Sequence, residues 1–419
     1  MKLALIPFVP GQAHGRLVRG LAPISEPHIA VLDSRSLEAP GLAPTPHLRG
    51  LVVVEAAPLA HPVLRLRGWG LPIVLARETN LPWGEMVWLD AAQGRLATTP
   101  LPSPPALPPA PADLCTADGR AVTLLASVGS GEAARLAMAQ GARGIGLFRS
   151  EYVVAQDGQA PDASLFEARL RAVCEAAAGC PVTVRLLDVA GDKHPPWLPD
   201  LPGVSATLGV QGVRLYRYQL ARRVVRAELA AIARLAPMFP LRILLPYVTR
   251  REEVETWVQE VRQATGLDAD KLPVGTMLET PAAALAVDSL LEVAAFAALG
   301  CNDLMQCLFA ANRDEAAVAD QLDFHSPVLY RFLAHVVEHA GNAERLQVNG
   351  LLSQWPGVIV LLLGLGFRRF SVDPALLPWL AARITKVNVA QAAKLAKAAC
   401  RARHAAEVCA LLAQDDVGA

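Results

Sequence analysis

The run "GIGLFRSEYVV", residues 144–154, is apolar until it ends in Arg149, Ser150 and Glu151. Similar breaks recur along the chain. "VRLLDVAGDK" delivers Arg185, Asp188 and Lys193, "VGTMLE" ends in Glu279, and "AFAALG" is followed by Asn302 and Asp303, with Arg313 a turn or two later. Guanidinium forks grip phosphate and carboxylate oxygens in pairs. Two carboxylates on adjacent strands can hold one Mg²⁺, which takes a few carboxylates together with ligand oxygens and water. Together these residue types bind a small ligand that carries phosphate and carboxylate and chelates a metal. Each alone reads equally well as a salt-bridged surface residue. Their recurrence at the ends of apolar runs argues for one shared rim.

A shared rim requires a scaffold whose strands all end on the same side. From residue 114, eight β-rich runs ("VTLLASV", "GIGLF", "VTVRLL", "RILLPYV", "VGTMLE", "AFAALG", "RLQVNG" and "RRFSV") alternate with helix-like stretches such as "REEVETWVQEVRQATG". Eight such units over about 300 residues indicate an α/β fold of the (β/α)8 TIM-barrel kind, where chemistry gathers at the C-terminal ends of the strands. Upstream, "GLVVVEA" and "LPIVLA" are short strand-like runs, and "EMVWLDAAQGRLATTP" reads as strand, glycine turn and strand. Between the two lies "TPLPSPPALPPAPADL", residues 99–114, whose seven prolines forbid helix and favour a semi-rigid extended arm. The expected division is therefore a small domain over 1–98, a proline-rich linker over 99–113 and the barrel over 114–419.

Composition narrows the setting. Lys and Arg number 39, as do Asp and Glu, so no net field favours nucleic acid or an anionic membrane. No apolar run reaches the ~18 residues of a spanning helix; "GVIVLLLGLGF" is too short. Seven cysteines without a CxxC pair are expected to be reduced thiols in a cytoplasmic protein.

The motifs "GIGLFRSEYVV", "VRLLDVAGDK", "VGTMLETPAAA" and "GCNDLMQ…NR" resemble those of the PEP-utilising enzymes, most of all enzyme I of the bacterial PEP:sugar phosphotransferase system, over roughly residues 114–400. The resemblance implies that Arg149 and Arg185 hold the phosphate of phosphoenolpyruvate (PEP), that Glu279 and Asp303 hold Mg²⁺, and that Asn302 and Arg313 contact phosphate and carboxylate, with Lys193 nearby. It also implies a swivelling domain whose histidine accepts the phosphoryl group. "HPVLRLRGWGLP" has the matching spacing, with Arg67 six residues after His61 and Leu71–Pro72 ten and eleven after it. His61 is thus the candidate phosphoacceptor, the product enolpyruvate or pyruvate, and a homodimer the implied assembly.

Four departures from the family pattern bear on activity. Leu59 stands where a hydroxyl precedes the histidine. Gln211 in "LGVQGVR" replaces an active-site arginine, a change expected to weaken transition-state stabilisation by a few kcal/mol. Asn349 and Leu351 in "QVNGLLS" replace the cysteine that protonates the enolate and its accompanying glutamate, and an amide is no general acid. About thirty residues separate "PGQAHGR" from "LRGLVVVEA", too few for the helical subdomain that engages the carrier protein HPr, so the onward phosphoacceptor is an unidentified partner. Two readings follow: a reduced PEP-dependent phosphotransferase, and a PEP-binding pseudoenzyme acting as sensor or scaffold. A different reaction on PEP or pyruvate in the same barrel is a third.

Overall fold

The computed structural model describes residues 5–416, apart from 22–23, 38, 40–41, 78–79, 104–105, 154–157, 190–194, 196, 200 and 205–207. Two compact units are distinguished, one of residues 1–107 with 311–322, the other of 108–310 with 323–419.

The first unit is built on one mixed sheet of β1 (Leu5–Val9), β2 (Gln12–Arg19), β3 (His28–Leu32), β4 (Leu48–Val54), β5 (Ile73–Ala76), β6 (Met86–Asp90) and β7 (Arg95–Ala97), in the order β1-β5-β4-β3-β2-β6-β7. Strands β2 to β5 run parallel, and β1, β6 and β7 are antiparallel to their neighbours. The runs "HIAVL" and "IVLA" are buried at every position, as strands covered on both faces must be. "GLVVVEA" and "LPIVLA" supply β4 and β5, and the glycine turn of the β6–β7 hairpin is Gly94, at φ +60°. Strand β2 carries no comparable signal: "QAHGRLVR" alternates only partly between buried and open positions.

The second unit is a closed, all-parallel barrel of β8 (Thr123–Val128), β9 (Ile145–Arg149), β10 (Val182–Arg185), β11 (Leu241–Leu245), β12 (Val274–Leu278), β13 (Ala297–Gly300), β14 (Leu346–Asn349) and β15 (Arg369–Val372). Each of the eight β-rich runs is one of these strands. Register sets the ends level: Arg149 pairs with Arg185, and Gly300 with Asn349. "REEVETWVQEVRQAT" forms the helix Arg251–Thr265; Glu253 accepts from the backbone N–H of Thr249 and Arg250, and Gly266 at φ +67° ends it. The apolar run near residue 360 is the helix Val358–Leu365, buried at six consecutive positions because it packs inside the unit. No helix among the described residues is long and apolar enough to cross a membrane.

The proline-rich segment has neither helix nor strand among its described residues. Gln12 Nε2 donates to the Pro102 carbonyl at 2.7 Å, and the Ala110 N–H to the Gln140 carbonyl at 2.9 Å.

Candidate active site

The C-terminal rim of the barrel collects the charged residues that the apolar runs release. Arg149 is the last residue of β9 and its Nη1 donates to the Tyr152 hydroxyl at 3.2 Å, the guanidinium lying 5.9 Å from the Tyr152 ring centre. Arg185, the last residue of β10, is 4% exposed. Its guanidinium pairs with Glu151, lies 3.0 Å from Asp188 Oδ2 and 3.7 Å from Glu279 Oε1, and its Nε finds no acceptor. Burial works against this charge, but Glu151, Asp188, Glu279 and Asp303 together raise the Arg185 pKa well above its ordinary value. The cation is locked on.

Glu279 follows β12 directly and is 1% exposed. Its Oε2 accepts from the Tyr247 N–H at 2.9 Å, for which Tyr247 takes the left-handed φ of +50°. Burial, then the charges of Asp188 and Asp303, raise the Glu279 pKa against the opposing effect of Arg185. Asn302 and Asp303 open the helix Cys301–Phe309, which begins without a loop after β13. Asn302 is buried, and its Oδ1 accepts from the Leu351 N–H at 2.9 Å. Asn349 ends β14 at 1% exposure; its Oδ1 accepts from Gln347 Nε2 at 2.6 Å, while its Nδ2 has no partner.

Two further candidates belong to the N-terminal unit. Arg313 belongs to the 311–322 segment that groups with the N-terminal unit; it is 5% exposed, with Nε 4.0 Å from Asp314 Oδ2. Lys193 falls outside the described residues. His61 is the first residue of the helix His61–Leu66 in the N-terminal unit and is 7% exposed. Its N–H donates to Asp314 Oδ1 at 2.8 Å, and Pro62 sets the first turn. Leu59, two residues before, is buried. Arg67 lies over the Phe8 ring at 5.2 Å, and Gly11 of "PGQAHGR" packs so closely on Pro72 that a Cβ there would stand 2.9 Å from its Cγ. Arg67 and Pro72 thus pack against the stretch that carries the opening motif.

Sequence reasoning gave no site role to three groups. Glu151 is the nearest acid to Arg185, although its place beside Arg149 was visible. Glu228, in the middle of the helix Gln219–Leu235, is 2% exposed and accepts from the Leu187 N–H at 3.0 Å. The signal was an acid on the apolar stripe of Val224, Val225, Leu229 and Ile232. Arg214 donates to the Thr249 hydroxyl and lies over the Tyr247 ring at 5.5 Å, a tertiary contact without local signature.

No group of three or more His, Cys, Asp or Glu suited to a metal occurs among the described residues. A Mg²⁺ that shares its sphere with ligand oxygens needs fewer. The donor chemistry fits such an ion: Glu151, Asp188, Glu279 and Asp303 all bear on the buried Arg185, and the crowding of carboxylates that raises the Glu279 pKa is what a divalent cation would relieve.

The family model for the PEP-binding domain of PEP-utilising enzymes matches residues 110–389. A phosphoenolpyruvate-protein phosphotransferase of Streptomyces coelicolor is 32% identical over 414 residues, covering 94% of this chain and 73% of that protein. A multiphosphoryl transfer protein of Xanthomonas campestris pv. campestris is 31% identical over 393 residues, 87% of this chain, and the chain spans 46% of its length. Among solved structures, a citrate synthase is matched over 60% of this chain and 86% of its own, at a TM-score of 0.35 and 15% identity, a likeness too weak to build on. The matched barrel, and the extension of the likeness through the N-terminal unit, establish that the chain belongs to the PEP-utilising enzymes, in the family of the PEP-protein phosphotransferases.

Proposed function

We propose that the protein is a Mg²⁺-dependent PEP-utilising phosphotransferase that moves the phosphoryl group of PEP to His61. The observation that carries this reading is the rim itself, where Arg149 and Arg185 end neighbouring strands in register beside Glu279. In this reading Arg149 and Arg185 hold the phosphate oxygens, and Asn302 and Arg313 orient phosphate and carboxylate. Glu279 and Asp303 would hold Mg²⁺ together with ligand oxygens, and the ion supplies charge neutralisation. A neutral imidazole nitrogen of His61 attacks phosphorus in line; the P–N bond forms as the bridging P–O bond breaks, and enolpyruvate leaves. Asn349 cannot protonate the departing enolate, so water does, and the return reaction from pyruvate is close to dead. The onward acceptor is a protein of unknown identity.

A second reading, a pseudoenzyme that binds PEP without turning it over, is favoured by Asn349 and by the buried, uncharged Gln211. Incubation with PEP labelled on phosphorus, with and without Mg²⁺, separates the two. The phosphotransferase takes up acid-labile label only with Mg²⁺, and His61→Ala loses the label while still binding PEP in calorimetry. Binding without label in the unaltered protein establishes the pseudoenzyme.

A further inference from the structure

The opposite, N-terminal mouth of the barrel carries a second charged cluster that the reading above does not use. Arg242 is the second residue of β11 and Arg369 the first of β15. With Phe296, Glu344, Arg345 and Gln347 they line a cavity of about 190 Å³. That is several times the ~30 Å³ share of one liquid water and leaves room for a tetrahedral oxyanion.

The arginines are not equivalent. Arg345 is committed to the chain: its Nε donates to the Ala295 carbonyl at 3.1 Å, and its Nη2 to those of Leu291 and Ala294 at 2.5 and 2.6 Å. Arg242 lies over the Phe296 ring, 3.6 Å from its centre, which fixes the plane of its fork. Among the described residues, neither the Arg242 nor the Arg369 guanidinium has a hydrogen bond or an ion pair with an acceptor. Burial, and then the charge of Arg369, lower the Arg242 pKa to about 10. Glu344 is the one carboxylate in the lining, so three arginines less one glutamate leave a charge of +2.

Hydrogen phosphate offers unprotonated oxygens to both guanidinium forks.

We propose that the N-terminal mouth of the barrel is a binding site for inorganic phosphate, held between Arg242 and Arg369. It is separate from the rim and does not depend on the phosphotransferase reading.

Hydrogen-exchange mass spectrometry on the full chain tests this directly. The Arg149→Gln variant, which lacks one of the two guanidiniums proposed to hold phosphate at the rim, is used so that phosphate there does not confuse the result, and chloride of matched ionic strength is the control. Millimolar phosphate is expected to slow exchange in peptides covering 241–245, 344–349 and 369–372. Arg242→Gln and Arg369→Gln should each weaken the phosphate midpoint by roughly tenfold, as loss of a hydrogen bond to a charged group does, and Arg369→Lys should retain part of the effect. Equal protection by chloride, no protection at these peptides, or a midpoint unmoved in both Gln variants would overturn the site. The phosphate and chloride arms decide the matter even if a Gln variant does not fold.

Discussion

In the reading proposed above, Asn349 and Cys301 are the single residues on which handling of the enolate turns. Asn349 occupies the tip of β14 with its Oδ1 already engaged by Gln347, so the amide orientation is set and no acid is presented. Cys301 is the nearest thiol in sequence to the rim, but burial pushes it up to about 12, far from the range of an effective acid at neutral pH. The unaltered protein is therefore expected to exchange the methyl protons of pyruvate negligibly by NMR, and Asn349→Cys to raise that exchange. Rapid exchange before any substitution would show that another acid acts. Glu228 yields a second prediction. Burial, opposed by the Leu187 amide and reinforced by the charge of Glu151, pushes its carboxyl up to about 8 from the 4.5 of an ordinary glutamate. A carboxyl with a raised folded pKa contributes stability that is fully present below about 4.5 and is lost as pH rises through about 8. Glu228→Gln keeps an acceptor for Leu187 and never ionises. Its Tm should match that of the unaltered protein near the acid end and exceed it increasingly towards pH 8. The gain there is up to a few kcal/mol, because each factor of ten in a proton-binding equilibrium is worth ~1.4 kcal/mol. Parallel Tm–pH curves would show that Glu228 titrates normally.

At the scale of elements, the site depends on how abruptly strands become helices. Strand β13 ends at Gly300 and the helix Cys301–Phe309 begins at the next residue, which places Asn302 and Asp303 within one turn of the strand tip. The junction closes only because Gly300 lacks a side chain: a Cβ there would stand 2.3 Å from Glu279 Cγ and 2.7 Å from its Oε1. Gly350 does the same after β14, with φ +97° and a would-be Cβ 2.8 Å from Asn302 Oδ1. Gly300→Ala should leave the barrel folded at a cost of about 1–3 kcal/mol, but displace Glu279. Calorimetry should then find Mg²⁺-dependent PEP binding weakened at least as much as in Glu279→Gln, with an unchanged circular dichroism spectrum. Undiminished binding would remove Glu279 from the ligand site.

For the whole molecule, the open question is assembly. The barrel unit exposes Leu285 at 51% and Val328 at 47%, on the contacting helices Pro281–Leu285 and Pro327–His339. Paired exposed apolar residues on adjacent helices are the kind of surface that a second copy covers. Light scattering should give twice the 44.5 kDa chain mass, and Leu285→Glu with Val328→Glu should halve it. A monomer before substitution would refute the dimer.

How much of this was legible beforehand differs by kind. The eight barrel strands and the order of the rim motifs were visible because a buried parallel strand is a continuous apolar run, and the charged residue that ends it is a local break. The motif spacing also carried the family. Strand β2 was hidden, since a half-open strand mixes polar and apolar residues without a clean period. The four-acid environment of Arg185, the turn of Tyr247 towards Glu279 and the grouping of Arg313 with His61 and Asp314 rest on contacts between segments far apart in sequence. Sequence alone determined which residues leave the strands. Only the tertiary structure decided which of them face one another, because closing a barrel brings together side chains whose separation along the chain says nothing of their distance in space.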